Sequence, residues 1–271
     1  MSARLFRILS AALAVVTGLY FIVPTMVVFW ISFTAATELT FPIRAYSVRW
    51  YERFFDSTQW AQATITSVLV AVVATSLVTV LGSAMAVGLA RGRFKGKKLI
   101  VLSVLAPVLV PPVVIGLGMY VQALKLQIVG TFSVLVMAHA ALCLPYVVLN
   151  VVTSLRTTDE TTELAARSCG AHPIRAFVSA TLPVIVPGLL GGAVLAFAVS
   201  WEETVISSFL ATSRTQTLPV VILQQTSYDL DPTVAAAASI VTVISFAIAI
   251  LFAASRNLTG TRLRKKKNEL A

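Results

Sequence analysis

The sequence predicts an all-α integral membrane protein of six transmembrane helices, with both termini on the cytoplasmic side. Three observations carry this expectation. Of 271 residues, 58% are hydrophobic and only 12% charged, about half the charged share of a soluble domain. Six apolar runs are long enough for a bilayer core, which takes about 20 residues per helix. The basic residues are spread unevenly over the segments between those runs.

The first run lies within Leu5 to Phe33 and the second covers Thr64 to Ala90. The third, Leu99 to about Ala123, is interrupted by Pro107, Pro111 and Pro112, which predict a bend; a static kink and a moving bend are both open readings. The fourth covers Phe132 to Thr153, the fifth Val186 to Leu210, and the sixth Val234 to Ala254. Runs of this length fit helices, because in lipid every backbone polar group must be bonded internally and barrel strands would alternate over about ten residues. Small residues (Gly82, Ala86 and Ala90; Gly188 and Gly192) predict close helix contacts.

With six spans, one side of the membrane carries Arg4, Arg7, the Arg91 to Lys98 loop, Arg156, Arg167, Arg175 and the tail from Arg256 to Lys267, sixteen of the twenty-one Lys and Arg residues. The other side keeps five, with seven of the eleven acids. Cytoplasmic loops collect Lys and Arg, so both termini are expected in the cytoplasm. The net charge of +10 is then explained by orientation and by anionic headgroups, without nucleic acid. Arg4 and Arg7 before the first run imitate a secretory leader, but the run is long and carries Pro24 and aromatic residues, so an uncleaved span is expected. Two cysteines, Cys143 and Cys169, imply no disulfide framework.

No enzyme motif is present. HExxH and GxSxG do not occur, and Gly92 to Lys98 (GRFKGKK) has three residues between its glycines where a phosphate loop has four, and no Ser or Thr for magnesium. His139 and His172 lack metal-ligand company and read as packing or loop residues; no metal site is expected.

The segment Thr161 to Gly188, TTELAARSCGAHPIRAFVSATLPVIVPG, is a polar, helix-forming insertion between two apolar runs. Thr161 and Thr162 are candidate N-caps, Glu163 suits the positive end of a helix dipole, Gly170 would end the short helix and Pro173 would start the next. Ala165 and Ala166 let another surface approach the backbone. From the residues alone, a knuckle-shaped contact helix and an amphipathic connector on the membrane surface both stand.

The Ala165, Ala166, Gly170 and Leu182-Pro183 pattern resembles the signature loop of type I ABC importer transmembrane subunits, and in particular the spermidine/putrescine permease family. The resemblance covers nearly the whole chain. Arg91 to Lys98 resembles the family's basic loop after the second span, Cys143 to Tyr146 its fourth span, and Ser200 to Val220 with Asp229 to Ile240 its fifth span, periplasmic turn and sixth-span entry. It implies that Glu163, Leu164, Ala165, Ala166 and Gly170 form a coupling helix seated in a groove of a separate ATPase. The family's Glu stands immediately before the two alanines, where this chain has Leu164; Glu163 lies one residue earlier, which rotates the carboxylate by about 100°.

Glu202 and Glu203 lie inside the fifth run, where an ionised carboxylate costs a few kcal/mol on insertion scales and so usually faces a cavity or a partner. Ser200, Glu203, Thr204, Ser207 and Ser208 share one helical stripe, while Glu202 falls off it. Glu203 is therefore the first candidate substrate-pathway residue, followed by Glu202 and by Trp201, whose ring suits cation–π contact. Structural bonding by the glutamates, and anchoring or packing by Trp201, are the alternatives.

The resemblance further implies a second permease subunit of different sequence, two cytoplasmic ATPase subunits that bind ATP and Mg, and a periplasmic substrate-binding protein; this chain binds no cofactor itself. The expected function is import of a small cationic solute, polyamine first, across the bacterial inner membrane. Aminophosphonates, opines and ferric iron are alternatives within the family, and a stand-alone secondary carrier, which would show internal repeats, is the alternative outside it. The expected organisation is a first helix with a periplasmic segment over 1–60, a five-helix core over 61–255 containing a coupling loop over 154–185, and a basic cytoplasmic tail over 256–271. In the outer segment Thr34 to Trp60, Trp50, Tyr51, Phe54 and Phe55 suit an interfacial amphipathic helix or contact with the binding protein.

Overall fold

The computed structural model describes residues 3–156, 160–228 and 231–268, with side chains over 7–156, 160–227 and 231–250. Among the described residues the elements are helices, and the one extended pairing is a bridge between Thr34 and Tyr46. The chain forms two compact units, Met1–Ala61 with Val221–Ile244, and Gln62–Val220 with Ser245–Ala271.

In the smaller unit, α1 (Ala3–Ile31) is apolar on every side and accommodates Pro24, as expected of a helix whose solvent is lipid. Past its end, the Ser32 and Tyr51 hydroxyls meet at 2.6 Å, and Trp50 Nε1 donates to the Thr34 carbonyl at 2.8 Å. These bonds hold α2 (Arg49–Asp56), which buries Trp50 and Phe54 and exposes Phe55. The amphipathic helix expected there is present. Arg53 pairs with Asp231 at 2.9 Å, and the same Asp231 caps α12 (Thr233–Asn268) by accepting from Thr233 N and Oγ1 at 2.8 and 2.7 Å. The α12 backbone stays helical through Asn268, so the basic tail expected from 256 continues that helix.

The larger unit holds most of α3 (Thr58–Arg91), then α4 (Lys97–Leu109), α5 (Pro112–Lys125), α6 (Phe132–Arg156), α7 (Glu160–Ser168), α8 (Pro173–Ala176), a π turn at Phe177–Thr181, α9 (Leu182–Glu202), α10 (Val205–Leu210) and the start of α11 (Leu218–Tyr228). Its core centres on α6 against α9, where Val147, Val151, Ile185 and Ala196 are fully buried. Glycine sets the helix separation: a Cβ at Gly192 would sit 2.9 Å from Val147 Cα, and one at Gly82 3.1 Å from Val147 Cγ1. Both glycines were expected at close contacts.

Among the described residues five helices are long and apolar enough to cross a membrane, and α4 with α5 supplies a sixth if that pair, bent by 107°, is one span. The bend falls where Pro111 and Pro112 remove two donors and Val110, ahead of a proline, is extended. The fifth span departs from the expected Val186 to Leu210. It runs unbroken from Pro173 to Glu202, ends there, and restarts as α10.

Candidate functional site

Among the described residues, two places in the larger unit bring acidic side chains together with other charged or polar groups. The first is the junction of α7 with α3 and the π turn. The α7 helix begins at Glu160, which puts Thr161 and Thr162 inside its first turn and corrects their reading as N-caps. It ends as expected at Gly170, whose φ of 88° only glycine adopts freely. Gly170 N donates to the Arg167 carbonyl and Ala171 N to the Ala166 carbonyl, the paired bonds of a left-handed helix stop. Pro173 then opens α8 as expected, with His172 at its cap.

Glu163 is the α7 side chain that turns inward. Its Oε2 accepts from Arg91 Nη1 and from Thr181 Oγ1, both at 2.6 Å, and Arg91 Nη2 donates to Thr181 Oγ1 at 3.0 Å. The last residue of α3, the first turn of α7 and the last residue of the π turn are thus closed in a triangle. Partial desolvation pushes the Glu163 carboxyl up, but the hydrogen bonds from Thr181 and Arg91, with the charges of Arg91 and Arg167, outweigh it and hold the group below the usual carboxylate range. The rest of α7 faces outward: Leu164 is 55% exposed, Ala165 and Gly170 are exposed, and Ala166 is half-buried.

The second place is the break after α9. Both Glu203 oxygens are engaged, Oε1 accepting from Ile206 N at 2.6 Å and Oε2 from Ser207 N at 2.9 Å and Ser207 Oγ at 2.7 Å. In an unbroken helix those two backbone donors would bond the carbonyls four residues earlier, so the carboxylate competes with the helix and wins locally. The stripe drawn on a continuous helix is corrected accordingly: Ser200, Glu203 and Ser207 are buried together, while Thr204 is half-buried and Ser208 exposed.

His139 of α6 clamps the break from the other side. Its Nδ1 lies 2.7 Å from Ser200 Oγ, its Nε2 2.9 Å from Ser207 Oγ and 3.7 Å from Glu203 Oε2. Because the Ser207 hydroxyl proton goes to Glu203, Nε2 must donate to Ser207, and in the neutral ring Nδ1 accepts from Ser200. Glu202 is exposed at the same break, and Trp201 is buried, stacked on Phe197 with centroids 6.3 Å apart. Glu203 and Trp201 therefore turn inward at the break, and Glu202 turns outward.

The model of the family described as binding-protein-dependent transport system inner membrane component matches residues 78–261. The chain belongs to this family. The permease is 31% identical over 208 residues to the spermidine/putrescine transport system permease protein PotC of Haemophilus influenzae, covering 77% of this chain and 81% of that one. It is 32% identical over 264 residues to the molybdenum transport system permease protein ModB of Mycobacterium bovis, covering 89% and 99%. In fold it is similar to a bacterial alginate ABC transporter solved in complex with an alginate pentasaccharide-bound periplasmic protein, with a TM-score of 0.71 at 14% identity over 94% and 96% of the chains.

It is thus a multi-pass permease subunit of a type I ABC importer in the bacterial inner membrane. Among the described residues no group of three or more His, Cys, Asp or Glu side chains could hold a metal ion. His139 is the polar residue that the sequence alone undervalued; a histidine within an apolar span was its signal.

Proposed function

We propose that the permease forms half of the pathway of an importer for a small cationic solute, spermidine or putrescine first. The break at Glu202 to Thr204 is the point on the fifth span that the solute passes. Glu202 offers it an exposed carboxylate, Glu203 keeps the break open by capping α10, and Trp201 packs beneath them.

The observation that carries the cationic reading is the state of that break. Two adjacent carboxylates stand there, and the positive end of α10, the natural seat for an anion, is already filled by Glu203. The α10 amide donors that would hold an anionic cargo, Ile206 N and Ser207 N, are thus already taken. Similarity to a polyamine permease over 208 residues supports the same choice.

In this reading the α7 end of the bundle and both termini are cytoplasmic. Leu164, Ala165, Ala166 and Gly170 face an ATPase subunit that binds ATP and Mg and hydrolyses the nucleotide, while Glu163 ties the contact helix to the spans. A second permease subunit of different sequence completes the pathway, and a periplasmic binding protein delivers the solute. The test is ATPase activity of the assembled complex in nanodiscs with its binding protein and a panel of spermidine, putrescine, molybdate, aminophosphonates, opines and ferric iron. Stimulation by polyamines alone is expected; stimulation by molybdate or another member of the panel instead would overturn the cargo.

A further inference from the structure

A cavity of about 380 Å³ opens at the α7 end of the larger unit, between the end of α3, the start of α4 and the end of α6. Its walls and its mouth differ in chemistry. Val104 and Leu105 of α4 and Val148, Val152 and Leu155 of α6 line it with alkyl groups. Three cations, Arg91, Lys97 and Arg156, stand at the polar end beside one carboxylate, Glu160.

The cations are unequally committed. Arg91 is held by Glu163 and Thr181. Lys97 Nζ spends one of its three protons on the Gly92 carbonyl at 3.1 Å. Arg156 is exposed and makes no hydrogen bond or ion pair among the described residues, and its guanidinium fork suits an oxyanion. Lys97 and Arg156 against Glu160 leave an excess of one positive charge after Arg91 is paired with Glu163.

A ligand that suits this cavity must present an anion to the mouth and a saturated chain to the walls. The helices that form it belong to spans, and the outer side of α4 is apolar and open, with Leu99 70% and Leu102 57% exposed. The medium that reaches such a slot is the bilayer itself.

We propose that this cavity binds an anionic phospholipid, its phosphate held by Lys97 and Arg156 and the upper part of one acyl chain lying along Val104, Val148 and Val152. The site is separate from the break at Glu203 and does not depend on the identity of the cargo. A lipid seated here touches α3, α4 and α6 at the ends nearest α7, so its occupancy stiffens the base on which α7 rests.

The test is lipid retention by the delipidated, assembled importer in detergent, titrated with dioleoyl phosphatidylglycerol or dioleoyl phosphatidylcholine and read by native mass spectrometry. Each basic contact favours an anionic lipid severalfold, so phosphatidylglycerol should bind about tenfold more tightly. Lys97→Gln combined with Arg156→Gln should abolish that preference while zwitterionic retention persists. Val152→Trp, which fills the slot from a half-buried position, should lower retention of both lipids. Equal binding of the two lipids by the native complex, or an undiminished preference in the double variant, would overturn the site. So would a photoreactive residue at Val101 that cross-links to a protein subunit instead of lipid.

Discussion

Arg91 Nη1 and Glu163 Oε2 lie 2.6 Å apart, although 72 positions separate the residues in the chain. The pair joins the end of a 34-residue membrane helix to a nine-residue surface helix. With Thr181 on the same oxygen, it places the base of α9 in the same knot. In the proposed reading, a push on α7 by a partner reaches two spans through one carboxylate.

Glu163→Gln should weaken that transmission without dissolving the permease. Hydrogen bonds to charged groups contribute about 1.5–3 kcal/mol when shielded, and partial exposure here reduces the figure to about 1 kcal/mol. The expected outcome is retained assembly with solute moved per ATP hydrolysed reduced severalfold. Arg91→Gln should do the same, and the double variant should be no worse than either single one. Additive losses in reconstituted vesicles would show that the residues act independently.

The pH dependence of this tie has a definite sign. The folded Glu163 value is depressed, so its contribution is fully present above the free carboxyl value near 4.3 and is lost as pH falls through the lower, folded value. Amide exchange of α7, corrected for intrinsic rates, should show constant protection from pH 8 to pH 5 and a decline only below about pH 4. Glu163→Gln should remove the acid-linked part of that decline. A transition near neutrality would assign the tie to another group.

The helix stop makes a different prediction. A Cβ at Gly170 would meet nothing within 4 Å, so the permease itself has room for a side chain there, and the cost of Gly170→Ala is backbone strain of about 1 kcal/mol. Asn tolerates the left-handed region better and should be milder. Gly170→Trp adds bulk on the outward face and should uncouple ATP hydrolysis from uptake with assembly intact, as should a bulky residue at Ala166. Unchanged uptake by the Trp variant would mean that no partner approaches this turn.

The spans were legible from the sequence because bilayer thickness and apolar run length are linked directly, and Gly82, Gly192, Gly170 and Pro173 act through their own backbone. The break at Glu203 was not. Periodicity assumes an unbroken helix, whereas this carboxylate takes the backbone donors of Ile206 and Ser207 and stops the helix that the stripe was drawn on. His139 is 61 residues from Ser200 and 68 from Ser207, and Arg91 is as remote from Glu163; packing brings these partners together, and no local pattern encodes them. The exposed α7 face was legible as a short polar helix between apolar runs, but its inward tie was not.

The two glutamates at the break should separate cleanly on substitution. Glu203 is buried with both oxygens engaged: Gln in its place keeps one acceptor but turns an amide donor toward a backbone N–H, leaving a buried donor unsatisfied at about 1–3 kcal/mol. Glu203→Gln should therefore lower the thermal stability of the assembled permease, and His139→Ala, which leaves Ser200 and Ser207 without their ring partner, should do likewise. Glu202 is exposed and caps nothing, so Glu202→Gln should leave stability unchanged and raise the KM for a polyamine. Thermal unfolding and uptake measured on the same preparations decide the matter. Loss of uptake by Glu203→Gln at undiminished stability would make that residue the contact and overturn the division of roles proposed here.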